Sequence, residues 1–352
     1  MKKETMTGRE RWLAVLKRQK PDRIPMDYWG TKEAGAKLMK HLRLPDMDSV
    51  FKKLRIDKPF WVGGKYNGPE LKDGLDMYGF KFRRVAYGNG SYEEVANHPL
   101  ADFKSIEELK KNYIFPTADW FDYSHIKAEV EANPERIIQG GGSEPMLTYK
   151  YLRGDEQAFM DFIENPELMQ YILDRLMEFS HEHTRRILEQ APGKINITYV
   201  AEDLGSQDDL LYSPAHIRQF LLPNMKKMMD LTHQNGGFVF THTDGASRKM
   251  IPDLIDIGMD VLNPIQWNCK GMEIEGLKKD FGDKIIFHGA VDNQHCIPFG
   301  TPEEVRKEVK NNIEILGKNG GYILAPCHNI QVVGPSENVV ALYEAGLEYG
   351  WN

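Results

Sequence analysis

The sequence predicts a single (β/α)8 barrel domain over residues 1–352. Eight short apolar runs have the length of buried strands, and amphipathic helical patterns lie between most of them. Strands that alternate with helices imply a parallel sheet, and eight such strands in one chain favour closure into a barrel, with a doubly wound open sheet as the alternative. No repeat, low-complexity segment or Gly/Ser linker marks a domain boundary. The runs are residues 24–27, 60–63, 137–140, 195–200, 238–241, 261–263, 285–288 and 322–325.

The first predicted element is a helical extension that precedes the barrel. Thr7 and Glu10 have the spacing of a capping box, in which each side chain accepts a hydrogen bond from the backbone N–H of the other residue. Trp12 and Leu16 follow on one face, and Pro21 lies just beyond the end of the pattern. We therefore expect an amphipathic helix before the first strand.

A β-hairpin is predicted between the second and third strands. Residues 79–85 and 91–95 have strand character and flank Asn89-Gly90, a dipeptide that favours a type I′ turn. The hairpin interrupts the alternation of strands and helices, so we interpret it as a local insertion and not as a domain.

The later helices carry explicit start signals. Ser213-Pro214, Thr301-Pro302 and Pro335-Ser336 each stand before an apolar helical pattern. Serine and threonine cap the first free N–H groups of a helix, and proline is favoured in its first turn. These signals place helices after the fourth, seventh and eighth predicted strands.

Charge and composition limit the classes of function. The formal net charge of -7 disfavours a nucleic-acid role, because such proteins neutralise phosphates with cationic side chains. The N-terminus lacks an apolar signal segment, and no run of about 18 apolar residues follows, so we expect a cytoplasmic protein that does not enter membranes. The three cysteines, Cys269, Cys296 and Cys327, match neither a disulfide framework nor a Cys-x-x-Cys motif. The sequence is silent on oligomeric state and leaves a homodimer open.

Reactive side chains follow the predicted strands where each strand ends. The carboxyl ends of barrel strands meet at one face, which is where barrel enzymes carry their active sites. Each such residue, taken alone, is more often structural, but their coincidence at several strand ends is what an active site requires. They are Tyr28, Trp29, Glu202, Asp203, His242, Asp244, Asn263, His288, Cys327 and His328.

His242 and Asp244 form the more specific part of this group. They stand two residues apart where an extended strand ends, so both side chains point to the same side and can converge on one metal ion. Cys327 and His328 are adjacent and point in opposite directions in extended backbone, so only one of them is expected to face the same centre. Glu202 and Asp203 are also adjacent, so only one of these two is expected to face the centre.

Segments along nearly the whole chain resemble a known family. They are residues 9–11, 21–25, 202–205, 213–214, 287–292, 320–331 and 335–338. Residues 320–331 read Gly-Gly-Tyr-Ile-Leu-Ala-Pro-Cys-His-Asn-Ile-Gln. In these segments the chain resembles the uroporphyrinogen decarboxylase superfamily, which also contains zinc-dependent, corrinoid-linked methyltransferases. The resemblance implies a barrel with its site at the carboxyl ends of the strands.

The chain departs from the decarboxylase at the first strand. That enzyme carries a Met-Arg-Gln-Ala-Gly-Arg stretch whose arginines hold the carboxylates of its substrate. Here no arginine occurs between Arg23 and Arg43, and aromatic residues stand in the stretch instead. An aromatic substrate therefore fits better than a polyanionic porphyrinogen. The residues predicted to bind it are Tyr28, Trp29, Trp61, Asn263 and His288.

A second departure concerns the metal. The thiol-methylating branch binds zinc through a His-x-Cys motif and a later cysteine. This chain keeps His242, replaces the first cysteine with Asp244 and places Cys327 and His328 where the second cysteine would lie. The resemblance thus implies zinc on His242, Asp244 and Cys327. A harder ligand set leaves zinc a better Lewis acid for an oxygen substrate.

The resemblance then implies a zinc-dependent methyltransferase that takes a methyl group from a methyl ether, such as a methoxylated aromatic, and passes it to the cobalt of a corrinoid protein. The chain has no recognisable corrinoid-binding segment, so the corrinoid is expected on a partner. His328, Glu202 or Asp203 would supply a proton or orient a ligand. The rivals are a decarboxylase of another substrate, a thiol methyltransferase, which Asp244 disfavours, and a non-catalytic tetrapyrrole- or corrinoid-binding protein.

Overall fold

A curled sheet of seven parallel strands forms the centre of the molecule. The computed structural model describes residues 3–72, 74–87 and 90–351. The strands in chain order are β1 Phe60–Val62, β2 Lys65–Tyr66, β3 Phe82–Tyr87, β4 Gly90–Val95, β5 Phe121–Asp122, β6 Ile138–Ser143, β7 Ile197–Ala201, β8 Phe238–His242, β9 Val261–Ile265, β10 Ile286–Val291 and β11 Tyr322–Pro326. The central sheet has the order β1, β6, β7, β8, β9, β10, β11.

This strand order agrees with a barrel-like fold. Strands that follow one another in the central sheet are also neighbours in space, and all pairs are parallel. A doubly wound sheet reverses its order at a switch point, so that alternative is wrong. Seven of the eight predicted apolar runs are strands of this sheet, which confirms the α/β architecture.

The first predicted run, residues 24–27, forms less than a full strand. It is joined to β11 by one parallel bridge, from Met26 to Leu324. The Asp27 N–H donates to the Leu324 carbonyl at 2.9 Å, and the Leu324 N–H donates to the Pro25 carbonyl at 2.9 Å. Pro25 has no N–H to add to a ladder, which limits the pairing of so short a segment.

Helices surround the sheet. They are α1 Gly8–Leu16, α2 Lys32–Leu42, α3 Met47–Leu54, α4 Ile106–Asn112, α5 Ile126–Ala132, α6 Pro145–Arg153, α7 Asp155–Glu164, α8 Pro166–Gln190, α9 Pro214–His216, α10 Leu222–Gln234, α11 Ile251–Ile257, α12 Ile274–Phe281, α13 Cys296–Phe299, α14 Pro302–Leu316 and α15 Ser336–Tyr349. A π-helical turn, Ile217–Leu221, leads into α10. Over the described part of the chain, none of these helices has both the length and the apolar character that a membrane crossing needs.

The N-terminal helix α1 packs inside the curl of the sheet. The Thr7 side chain accepts from the Glu10 N–H, and the Glu10 side chain accepts from the Thr7 N–H, so the capping box is formed. Trp12 and Leu16 are buried in one apolar cluster with strand residues such as Phe240 and Val261. This helix therefore fills part of the sheet interior with side chains and leaves the carboxyl ends of the strands for the site.

The hairpin insertion consists of β3 and β4, which pair antiparallel. Phe82 lies opposite Val95, and Val85 lies opposite Tyr92. The predicted type I′ turn depends on Asn89, which is outside the described residues. Tyr92 thereby lies on a strand that is separate from the central sheet.

A buried ion pair joins α6 to α7. Arg153 and Asp161 are both inaccessible to solvent, with Arg153 Nε donating to Asp161 Oδ2 at 2.7 Å. A second guanidinium nitrogen of Arg153 donates to the Phe103 carbonyl at 3.0 Å. Removing one member of such a pair leaves the other charge buried without compensation. The pair thus holds α6, which begins next to the site described below.

We expect Arg153→Leu to lower the free energy of unfolding by about 3–5 kcal/mol, because the Asp161 carboxylate would lose its buried cation. Urea denaturation followed by circular dichroism measures the change. The matched control is Arg153→Leu combined with Asp161→Leu, which removes both charges and should recover most of the loss. Equal losses in the single and double variants would show that packing, and not the ion pair, is responsible.

Candidate metal centre

Three potential metal ligands meet at the carboxyl ends of β7 and β8. One ligand atom each from Asp203, His242 and Asp244 lies within 4.8 Å of the other two. His242 Nε2 is 3.7 Å from Asp203 Oδ1 and 3.8 Å from Asp244 Oδ1. Asp244 Oδ1 is buried and has no hydrogen-bond partner. Burying a carboxylate oxygen without a partner costs free energy, which a bound cation would offset. The three side chains therefore form a site that a cation would stabilise.

A chain of buried hydrogen bonds lies beneath His242. His242 Nδ1 is 2.7 Å from Asn263 Oδ1, and Asn263 Nδ2 is 2.7 Å from His288 Nδ1. His288 Nε2 is 3.1 Å from Asp27 Oδ2. Asn263 and His288 are almost completely inaccessible to solvent. We call these four residues, Asp27, His288, Asn263 and His242, the relay.

The relay fixes which nitrogen of His242 can bind a metal. A carboxylate only accepts hydrogen bonds, so Asp27 takes the Nε2–H of His288 and leaves His288 Nδ1 as an acceptor for the Asn263 amide. The Asn263 oxygen then accepts from the Nδ1–H of His242. Burial lowers the pKa of His288, which favours the neutral ring that this pattern requires. In the neutral form of the His242 ring, Nε2 is therefore the nitrogen with the lone pair, and it faces Asp203 and Asp244.

Asp27 holds the other end of the relay. Burial would raise the pKa of its carboxyl, but Lys58 and the hydrogen bond from His288 prevail and lower that pKa to about 2. Lys58 Nζ is 3.0 Å and Trp29 Nε1 is 2.9 Å from its two oxygens. The same carboxylate therefore orients His288 and fixes the Trp29 indole.

An open cavity of about 540 Å³, which we call the aromatic chamber, reaches the three ligands only through Trp29 and Tyr199, two residues of its wall that pack on His242. Trp29 stacks on His242, with ring centroids 5.8 Å apart and an angle of 20° between the planes. Tyr199 also packs on His242 at 5.6 Å. The aromatic and charged or titratable residues that line the chamber are Trp29, Trp61, Tyr78, Tyr199, His183, Lys58 and Glu144. Trp29 and Trp61 are the two that the sequence predicted. Trp61 is 61% exposed to solvent.

Glu144 is a site residue that the sequence prediction missed. It follows β6 and lines the aromatic chamber, and its side chain does not cap α6. Burial raises the pKa of its carboxyl to about 7, with Asp203 and Asp244 also raising it and His242 lowering it. The strand-end rule would have found it, but the predicted run ended at Gly140, whereas β6 continues to Ser143.

Several predicted site residues lie away from the aromatic chamber. Glu202 is 1% exposed, and its Oε1 accepts from the Met146 N–H at 3.3 Å, so it faces α6. Burial raises the pKa of Glu202 well above its usual range. Tyr28 packs on Phe51 and Tyr343 in the core. The predicted substrate contacts Asn263 and His288 belong to the relay instead of the chamber wall.

Cys327 and His328 lie in a bend just after β11, and their side chains have different surroundings. Cys327 is buried, its Sγ lies 3.0 Å from Asn293 Oδ1, and burial raises the pKa of its thiol to about 12. His328 is partly exposed, with its Nε2 3.6 Å from Asp244 Oδ2. Cys327 is outside the group of three ligands. Its role as a ligand stays a prediction, and Asp203 occupies the third position in the described geometry.

A second open cavity, of about 530 Å³, adjoins the three ligands on the side of Asp244, and we call it the amide chamber. Its lining comes from the loops after β7, β8, β9, β10 and β11 and from Tyr92 of the hairpin. The residues that line it are Tyr92, Gly205, Ser206, Gln207, Asp244, Gly245, Gln266, Asn293, Gln294, His328 and Gln331. Asp244 is thus shared between the metal centre and this chamber.

Comparison with known proteins identifies the family. A profile of "Uroporphyrinogen decarboxylase (URO-D)" matches residues 82–349. The chain belongs to the uroporphyrinogen decarboxylase family. A uroporphyrinogen decarboxylase of Psychromonas ingrahamii is 24% identical over 239 residues, which are 64% of this chain and 63% of that protein. One of Pseudoalteromonas translucida is 24% identical over 287 residues, 75% of each chain. The match to the first of these relatives thus spans less than two thirds of that protein.

One solved structure is similar to this chain over almost the whole length of both proteins. It is described as a methyltransferase from Methanosarcina mazei. The two chains are 21% identical and superpose with a TM-score of 0.68, covering 98% of this chain and 99% of the other. At this identity the likeness shows that the two proteins share a fold.

The raised pKa of Glu144 predicts how one carboxyl titrates, and how the free energy of unfolding depends on pH, in the metal-free protein. In carbon-13 NMR of labelled glutamate, one carboxyl should titrate near pH 7 and disappear in Glu144→Gln. A carboxyl whose pKa is raised on folding favours the folded state below its unfolded pKa and loses that contribution as pH rises through the folded value. Glu144→Gln should therefore raise the free energy of unfolding at pH 8 by about 2–3 kcal/mol and leave it unchanged at pH 4.

The control for this experiment is Glu314→Gln, which changes an exposed glutamate on α14. It should alter neither the titration near pH 7 nor the dependence of stability on pH. A wild-type spectrum in which every glutamate carboxyl titrates below pH 5.5 would contradict the burial argument.

Proposed function

We propose that the protein is a zinc-dependent methyltransferase that moves a methyl group from a methoxylated aromatic compound to the cobalt of a corrinoid carried by a separate protein. The observation that carries the proposal is the group Asp203, His242 and Asp244, whose histidine packs against Trp29 and Tyr199 of the aromatic chamber. The Methanosarcina mazei methyltransferase, which shares the fold over its whole length, supports this choice within the family.

The three ligands fit zinc. Catalytic zinc is held by three protein side chains drawn from histidine, carboxylates and cysteine, with a fourth position left for substrate. Asp203, His242 and Asp244 would hold the ion, and the partnerless Asp244 Oδ1 and the lone pair of His242 Nε2 are the atoms that need a cation. When bound, zinc supplies Lewis-acid polarisation of an ether oxygen.

The protein's own side chains perform the remaining work. Trp29 and Tyr199 pack on His242 and offer flat apolar surfaces to an aromatic ring, which would place a methoxy substituent near the three ligands. The methyl carbon leaves the ether oxygen and bonds to cobalt(I), whose electron pair forms the new bond. The electron pair of the broken C–O bond stays on oxygen, which takes a proton. Glu144 is the carboxyl in the chamber wall that can donate it.

The chamber is a poor match for a polycarboxylated porphyrinogen. Its described lining contains one lysine, Lys58, and no arginine. Lys58 is already paired with Asp27. A substrate with many carboxylates needs several charge-assisted contacts. The composition of this wall therefore favours methyl transfer from an aromatic ether over decarboxylation.

The purified protein should demethylate methoxyarenes when cob(I)alamin is supplied as acceptor, with methylcobalamin formation followed by its absorbance. A chelator should abolish the reaction, and added zinc should restore it. Asp203→Asn, His242→Ala and Asp244→Asn should each lose zinc and activity, whereas Cys327→Ser should keep zinc if the three ligands are those proposed. Zinc retained in all three variants, or activity that resists the chelator, would overturn the proposal.

The relay predicts an effect on metal affinity without any change of ligand. Asn263→Leu should weaken zinc binding by about 10–100-fold, because His242 would lose the partner that holds its Nδ1–H. Competition with a chromogenic chelator measures the dissociation constant. Asn224→Leu is the matched control, since Asn224 is equally buried but lies on α10. Equal zinc affinities of the two variants would show that the relay does not contribute to metal binding.

A further inference from the structure

We propose that the amide chamber binds the amide side chains at the edge of the partner's corrin ring. This inference rests on the proposed function, from which it takes the corrinoid acceptor. It adds the surface of this chain that recognises the acceptor, and it identifies the chemistry of that recognition as hydrogen bonding between primary amides.

The lining of the amide chamber is rich in primary amide side chains. Five primary amides line it, from the ends of four different strands of the central sheet: Gln207, Gln266, Asn293, Gln294 and Gln331. Its described lining contains no aliphatic side chain. The aromatic chamber differs in that aromatic rings, those of Trp29, Trp61, Tyr78 and Tyr199, stand among the polar side chains of its lining. The two chambers therefore suit two different molecules.

A corrin ring matches this lining. Its periphery carries acetamide and propionamide groups, which are primary amides. A primary amide offers two N–H donors and one oxygen with two lone pairs, so two primary amides can donate to and accept from each other. Among the described residues that line the chamber, the charged or titratable side chains besides Tyr92 are Asp244 and His328, which lie 3.6 Å apart. The lining is thus suited to a neutral ligand rich in hydrogen-bonding groups.

Four of the five amide side chains bond protein groups. Gln207 Oε1 accepts from the Cys269 thiol at 3.5 Å, and Gln331 Nε2 donates to the Asn329 carbonyl at 3.2 Å. Gln266 Oε1 accepts from the Gly245 N–H at 2.6 Å, and Asn293 bonds the Cys327 thiol and the Asn329 carbonyl. Gln207 and Gln294 are exposed at the chamber. We therefore assign the main contacts to Gln207 and Gln294.

The position of the chamber suits the reaction. Asp244 lies in its wall and is also one of the three ligands, so the chamber begins where the ether oxygen would be held. A volume of about 530 Å³ holds a few amide side chains but not a complete corrin. The partner would hence lay its ring across the mouth of the sheet and insert only the edge, which leaves the cobalt face toward the aromatic chamber.

Two probes of the same ring test the amide contacts. Dicyanocobinamide carries primary amides at its periphery, whereas dicyanocobyrinic acid heptamethyl ester carries methyl esters, which cannot donate. Equilibrium dialysis against the full-length zinc-loaded protein should show binding of the cobinamide at least tenfold tighter than that of the ester. Equal binding of the two compounds, or no binding of either, would overturn the inference.

Variants locate the contacts. Gln207→Leu combined with Gln294→Leu should weaken cobinamide binding by roughly tenfold, as expected for the loss of two hydrogen bonds, and should leave the ester and the zinc content unchanged. Gln170→Leu is the matched control, because Gln170 bonds Asp174 on α8, outside both chambers. Unchanged cobinamide affinity in the double variant would contradict the assignment.

The result is separable from the proposed function. If methyl transfer to free cob(I)alamin occurs but the ester and the amide bind alike, the methyltransferase proposal stands and the amide contacts are wrong. If cobinamide binds as described but no methoxyarene is demethylated, the acceptor surface stands and the proposed reaction is wrong.

Discussion

The hydrogen bonds from Asp27 to His288, Asn263 and His242 are the constraint on which the site depends. They start at a carboxylate whose pKa is lowered to about 2, so its charge persists through the physiological range. They end at the nitrogen that faces Asp203 and Asp244. Asp27 also fixes Trp29, which is the wall that the metal centre shares with the aromatic chamber. One buried carboxylate thus sets both the metal-facing nitrogen and the surface on which a ring can lie.

The alternation of side chains along a strand explains which sequence predictions could be made and which could not. The spacing of His242 and Asp244 predicts that they converge, and they do. For two residues adjacent in sequence, the alternation predicts only that their side chains point apart, and not which of them faces the site. The structure resolves the choices: Asp203 faces the metal centre while Glu202 faces α6, and the His328 ring lies near Asp244 while the Cys327 thiol lies against Asn293. Tertiary packing decides which neighbour faces inward, and a single sequence does not contain that information.

Other limits of the sequence have local causes. Glu144 escaped prediction because β6 ends in glycines, which lack the apolar side chains that mark a strand, and Gly141 and Gly142 have positive φ angles of 69° and 145°. The Gly142 position requires glycine, since a Cβ there would lie 2.1 Å from the Tyr199 carbonyl oxygen. Asn263 and His288 end the predicted runs, but β9 and β10 continue to Ile265 and Val291, so both residues lie within their strands and are buried beneath His242. Strand-end position predicts proximity to a site, and burial decides whether a residue touches a ligand or orients one that does.

The relay also has a consequence for the synthesis of the protein. Asp27 and His288 are 261 residues apart in sequence, and the segment of Asp27 pairs with β11 near the C-terminus. A nascent chain therefore carries Asp27 for most of translation before its partner His288 has been synthesised. Contacts between residues so distant in sequence form late and slowly, because the loop between them must close first. The relay beneath His242 is complete only when the last strands dock, so the group of Asp203, His242 and Asp244 should reach its final geometry late in folding.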